Sequence, residues 1–201
     1  LALMTAITLL PSMLLGATSF TRIIIVLSLL RQALGTQQTP PNQVLISIAL
    51  FLTIFIMYPT LEEIYYTAAS PYLEGQLEII PAIETSASIL KEFLVLNTRE
   101  RELAMFAELA GDAPYASNGD VPFNVLMPAF ITSELKTAFQ IGFLLFLPFL
   151  VIDMVIASVL MSLGMMMLSP MLIALPFKLL LFVIVDGWAM TVGSIASTYL
   201  N

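Results

Sequence analysis

MPAFITSELKTAFQIGFLLFLPFLVIDMVIASVLMSL, Met127 to Leu163, carries only three charged side chains, Glu134, Lys136 and Asp153, in a run otherwise dominated by Phe, Leu, Ile and Val. It exceeds the ~20 apolar residues that a helix needs to cross a bilayer. In lipid, only helices and closed barrels satisfy their own backbone groups. The stretch predicts a membrane helix, and the rest of the chain is organised around it. On its C-terminal side GMMMLSP (Gly164 to Pro170) is too short to hold a domain, and a second apolar stretch follows from Met171 to about Tyr199, interrupted by Pro176, Lys178 and Asp186.

On its N-terminal side the pattern changes. From Thr60 to about Asn124 polarity is mixed, and helical periodicity is strongest from Ile89 to Ala110. Leu90, Phe93, Leu94, Leu103, Phe106 and Ala107 recur there at three-to-four spacing, leaving Lys91, Glu92, Arg99, Glu100 and Glu102 for a wet face. This reads as an amphipathic helix broken near Asn97, closed by a loop, GDAPYASNGDVP (Gly111 to Pro122), with turn-favouring residues. Further upstream, Val44 to Tyr58 is uncharged and reads as a membrane helix despite its β-branched residues. RQALGTQQTPPNQ (Arg31 to Gln43) is a connector, because its glycine and paired prolines cannot continue a helix. Leu1 to Leu30, broken by Arg22 and containing Pro11 and Gly16, is longer than a straight crossing needs, so a kink near Pro11 or a tilt is expected. The expected fold is all-α: an N-terminal helical hairpin over 1–59, an acidic extracytoplasmic helical insert over 60–124, and a C-terminal hairpin with a Met-rich loop over 125–201.

Composition agrees with membrane placement. Hydrophobic residues make up 59% of the 201 and charged residues 10%, against roughly 25% charged in soluble domains. The net charge of -7 is unevenly placed: eleven carboxylates between Glu62 and Asp120 face only Lys91, Arg99 and Arg101. Arg31 flanks the first connector, so the positive-inside rule puts that connector in the cytoplasm and the insert outside. A chain beginning at Leu1 with an extracytoplasmic N-terminus agrees with a removed signal peptide.

Cysteine and histidine are both absent, which excludes thiol nucleophiles, imidazole bases and the usual zinc ligands. Neither HExxH nor GxSxG nor a phosphate-binding GxxxxGKS occurs. No catalytic, metal-binding or cofactor-binding residue is expected, although Asp153 and Asp186 on facing helices would suit an intramembrane acid pair. Six ionisable residues instead interrupt apolar stretches: Arg22, Glu134, Lys136, Asp153, Lys178 and Asp186. A charge at the bilayer centre costs ~2.5–3.5 kcal/mol on insertion scales, so such groups face protein or water. Pairing between helices or subunits and a proton or ion relay both account for them, and the balance of three bases with three acids favours pairing. Glu134 and Lys136 are two positions apart and must contact different neighbours. Glu134 is expected to pair with Lys178 of the same or an adjacent subunit. Met165, Met166 and Met167 are flexible thioethers that either close around cargo as a gasket or pack on lipid. Small residues at four-residue spacing, Ser12 with Gly16 and Ala189 with Gly193 and Ser197, suit close helix approach.

Three stretches carry a resemblance to a known family. TSFTRIIIVLSLLRQALGTQQTPPNQVLISIALFLTIFIM (Thr18 to Met57), TSELKTAFQIGFLLFLPFLVIDMVIASVLMSLGMMMLSP (Thr132 to Pro170) and IALPFKLLLFVIVDGW (Ile173 to Trp188) resemble the FliP/SctR family of type III export-gate proteins. The insert from Leu61 to Pro122 matches mainly in position and helical character. The resemblance implies a homo-oligomer, a pentamer in this family, in a helical stack with FliQ and FliR near FlhB and FlhA. It implies a channel for unfolded flagellar subunits in the bacterial inner membrane at the flagellar basal body, with no nucleic acid and no cofactor involved. Much of the hairpin core then lies above the ordinary bilayer plane. The family carries the methionine run as a constriction, so Met165, Met166 and Met167 take that role by resemblance, and Glu134 and Lys178 become inter-subunit contacts. Where relatives often have Pro-Pro after the run, this chain has Ser169 and Pro170.

Overall fold

A computed structural model describes residues 15–36, 38–112, 115, 117–165 and 167–199. Among the described residues every regular element is helical. Helix α1 spans Phe20–Ala33 and α2 spans Asn42–Ile64, continuing through a π-helical turn, Tyr65–Ala69, into a last turn, Ser70–Leu73. α3 (Ile79–Leu96) and α4 (Glu100–Ala110) form the insert; a 3-10 turn (Asn118–Asp120) leads into α5 (Phe123–Ser162), followed by α6 (Pro170–Ile184) and α7 (Gly187–Ser197). The expected kink near Pro11 and the position of Ser12 lie outside the described residues.

α5 is one unbroken helix of 40 residues, about 60 Å long at ~1.5 Å per residue, twice the ~30 Å hydrocarbon core. Asn42–Leu73 forms a second long apolar helix of 32 residues. It does not stop at Thr60, where the change of polarity suggested a boundary. Leu61, Glu62 and Glu63 extend the ladder, and the helix ends only before Gly75, whose φ of 72° turns the chain. The periodic region behaves similarly: its helix starts at Ile79, ten residues before the clearest periodicity, and breaks after Leu96 as expected near Asn97. There the Asn97 side chain donates to the Phe93 carbonyl at 2.8 Å and the Thr98 hydroxyl to that of Leu94 at 2.7 Å, so side-chain bonds cap the last carbonyls of α3. α4 ends at Gly111, φ 78°.

Residue contacts divide the chain into two units. One comprises Leu52–Lys136 with the N-terminal stretch to Thr21. Its core gathers Leu94, Val95, Ala107, Val121, Val125, Leu126 and Phe130 from α3, α4, the following loop and the start of α5. Phe93 packs on Phe130 with ring centroids 6.3 Å apart, and the Arg99 backbone N–H donates to the Ser133 hydroxyl at 3.1 Å, pinning the α3–α4 break to α5.

The other unit comprises Arg22–Phe51 and Thr137–Asn201. Leu30, Ala33, Leu34, Phe149 and Phe182 form its described core cluster. Arg31 closes the connector by donating to the Pro40 carbonyl at 3.1 Å and the Asn42 side chain at 2.6 Å. The last apolar stretch is a broken pair: α6 accommodates Pro176 and Lys178, and the chain bends by 63° between α6 and α7. The break falls at Asp186, a non-glycine residue at φ 51°, ψ 53°. The next residue must be glycine, because a Cβ on Gly187 would lie 2.1 Å from the Phe182 ring, which also meets Trp188 edge-on at 5.4 Å. Gly187→Ala is expected to destabilise the chain by about 1–3 kcal/mol through overpacking, whereas Asp186→Gly, which relieves the left-handed backbone, is expected to leave stability equal or higher. Thermal unfolding in detergent, followed by Trp188 fluorescence, checks both.

Candidate functional site

The turn between α5 and α6 is built by its backbone. Gly164 adopts φ 71°; its N–H donates to the Met161 carbonyl at 3.1 Å and the Met165 N–H to that of Leu160 at 2.9 Å, the paired bonds of a Schellman stop. Leu168 N–H then donates to Met165 at 3.2 Å, and Pro170 opens α6 after an extended Ser169. With the backbone so occupied, the side chains point away: Met167 is 101% exposed and Met165 48%. Met166 lies outside the described residues. Met161, Leu168 and Met171 are also exposed, so the tip of this hairpin is an apolar surface left uncovered by its own chain.

The charged residues of the apolar stretches are placed as follows. The Lys178 ammonium, 5% exposed, meets Asp153 Oδ2 at 2.6 Å and the Ala33 carbonyl at 3.1 Å. Within its own unit, then, Lys178 is held by Asp153, on α5. Glu134 is fully buried. Lys136 reaches Glu102 of α4 at 2.7 Å. Glu102 is buried rather than on the wet face. The hydrogen bond from Lys136 is the main cause holding its carboxyl below the ordinary value of 4.5, with burial opposing and its own backbone N–H, Lys136 charge and Arg99 assisting. Arg22, also buried, donates to the Thr198 hydroxyl at 2.7 Å and lies 3.8 Å above the Tyr199 ring. Asp186 is exposed at the α6–α7 break, as are Gly193, with open space around it, and Ser197 on the small-residue ridge of α7.

Sequence spacing pointed neither to Glu102 nor to Thr198 and Tyr199. Lys136 on an apolar helix signalled that an acid was needed, but choosing among eleven insert carboxylates depends on tertiary packing. Among the described residues no three acidic, cysteine or histidine side chains converge as a metal site.

A profile of the FliP family matches residues 3–195. The chain belongs to the FliP family. It is 71% identical over 199 residues to the flagellar biosynthetic protein FliP of Cereibacter sphaeroides, covering 99% of this chain and 66% of the relative. The FliP of Pectobacterium carotovorum is 56% identical (99% and 77% covered) and that of Bacillus subtilis 51% identical (99% and 90% covered). The chain thus spans just under two thirds of the Cereibacter FliP and nine tenths of the Bacillus FliP. The match takes in both hairpins and the insert, so the methionine turn and the buried charges lie within the part shared with other FliP proteins.

The Asp153–Lys178 pair is asymmetric in exposure, 36% against 5% for the side chains. Asp153→Ala strands a buried ammonium with one carbonyl and is expected to cost about 3–5 kcal/mol. Lys178→Met leaves a carboxylate that can swing outward, and a smaller loss is expected. Unfolding midpoints of the two variants in the same detergent decide the order.

Proposed function

We propose that this chain is a core subunit of the flagellar type III protein export gate. Several copies assemble, by the family resemblance into a pentamer with FliQ and FliR near FlhB and FlhA, and line a channel through which unfolded flagellar subunits cross the bacterial inner membrane at the flagellar basal body. The name shared by its relatives, flagellar biosynthetic protein, supports a part in flagellar export. The observation that carries the channel reading is the methionine turn: a backbone closed on itself presents Met165 and fully exposed Met167 between two apolar helices. Flexible thioethers suit contact with cargo of varied shape, and a narrow apolar constriction sheds water when idle.

Only 6% of the most apolar window of α5 is buried within the chain, so lipid or neighbouring subunits supply its packing. Its length, double a bilayer core, supports a hairpin that extends above the membrane, with the insert outside the cytoplasm. Transport of a small solute or ion through the intramembrane acids Asp153 and Asp186 is the weaker reading, because Asp153 is held by Lys178 at 2.6 Å.

Deleting Met165, Met166 and Met167 is expected to leave assembly intact while cells leak ions, with export altered; an assembled complex that stays tight and exports normally would show that the turn is no gasket. Between subunits, Glu134 and Lys178 remain the proposed contact. Glu134→Lys and Lys178→Glu are each expected to impair assembly and the double exchange to restore it; two defective singles with no rescue would remove the pairing.

A further inference from the structure

α6 and α7 meet at a corner that their own backbone does not favour. Asp186 stands there at φ 51°, the one positive φ outside glycine among the described residues, with its Cβ crowded against the following carbonyl. Its side chain gives α7 no capping bond. The first N–H groups of α7 therefore lack the partner that a capping residue supplies, in a stretch rich in Leu, Ile, Val and Phe. A continuous helix removes both costs at once, because with Asp186 right-handed those N–H groups meet carbonyls of the last turn of α6. The bend of 63° persists only if contacts elsewhere hold it.

Two contacts do so, both within the unit of Arg22–Phe51 and Thr137–Asn201. Phe182 fills the inside of the corner: its ring occupies the space that a Cβ on Gly187 would need, meets Trp188 edge-on, and packs on Phe149 of α5 with centroids 6.5 Å apart. At the far end of α7 the buried Arg22 of α1 donates to the Thr198 hydroxyl oxygen at 2.7 Å and lies 3.8 Å over the Tyr199 ring. The Thr198 hydroxyl itself donates to the Ile195 carbonyl at 2.6 Å, which leaves its oxygen to accept from the guanidinium. The two contacts answer a swing of α7 differently. Residue 198 lies about 18 Å along the helix from the corner, so opening through 63° carries it about 19 Å, far beyond the reach of Arg22. Phe182 sits on α6 at the pivot and keeps its place among Leu30, Ala33 and Leu34.

We propose that α6 and α7 form a two-state pair, bent while Arg22 grips Thr198 and Tyr199 and straightened into one helix, Pro170–Ser197, once that grip is released. The straight form is about 42 Å long, enough to cross a ~30 Å hydrocarbon core. The direction of α7 is thereby set by a residue on α1.

The chain has no cysteine, so Leu172→Cys and Ser194→Cys, both at exposed positions, place spin labels on α6 and α7 without background. In lipid nanodiscs, with labelled chain diluted into unlabelled chain, pulsed electron spin resonance reads the distance within one molecule. The two Cα positions are about 28 Å apart across the bend and about 33 Å apart along one helix. The parent chain is expected to give the short peak. Thr198→Val with Tyr199→Leu removes the grip without touching Arg22. It is expected to make a peak about 5 Å longer the larger of the two, with helix content by circular dichroism unchanged or higher. Arg22→Gln is expected to do the same. Adding Asp186→Gly to the grip-free chain is expected to bring the short peak back, since glycine accepts left-handed backbone and disfavours helix, a rescue that a misfolded chain could not show. A short peak alone in the grip-free chain, a broad distribution from an unwound α7, or no return with Asp186→Gly would each overturn the proposal.

Discussion

Polar groups carried on apolar helices have to find partners inside the protein, because the surroundings offer none. That constraint organises this chain more than any single hydrophobic contact does. Lys178 draws α6 toward α5 through Asp153 and holds the Ala33 carbonyl at the end of α1. Lys136 draws α4 onto α5 through Glu102. Arg22 meets Thr198 and Tyr199 just after α7. Each base specifies one arrangement out of many that apolar packing alone would tolerate, since leucine against leucine has little preference for register.

The apolar residues play a complementary part. Leu94, Leu126 and Phe130 in one unit, and Leu30, Phe149 and Phe182 in the other, fill small cores. Much of the remaining apolar surface is exposed within a single chain, Phe51, Leu144, Met154 and Val183 among it. A chain of this kind is stable only in company, with lipid or other helices.

The membrane helices were legible because their signal is local and strong: Val44 to Tyr58 and Met127 to Leu163 are long, nearly uncharged and free of glycine pairs. The break near Asn97 was legible for a similar reason, as asparagine and threonine compete with the ladder through their own side chains. Helix ends were harder to place. Pro71 lies between Thr60 and Leu73, yet the chain stays helical by passing through the π-helical turn at Tyr65–Ala69, and the change of polarity at Thr60 marks no helix end. Glu102 read as a surface charge because Glu100 and Glu102 look alike in sequence, and only the position of Lys136 on a neighbouring helix separates them. Asp153 and Glu134 lie on one long helix, and hydropathy alone does not say which turn of it offers a carboxylate to Lys178. The sharp corner at Asp186 left a faint trace in the Asp-Gly pair, which tolerates left-handed backbone.

The exposed methionines at the α5–α6 turn have a chemical consequence apart from their shape. A thioether at the surface is open to oxidants, and conversion to the sulfoxide turns a pliant apolar chain into a polar one. Leucine at the same positions would be chemically inert but stiffer. A tip built from Met165 and Met167 therefore couples its compliance to the redox condition of its surroundings, and repair enzymes that reduce methionine sulfoxide would act on the same atoms that give the turn its softness.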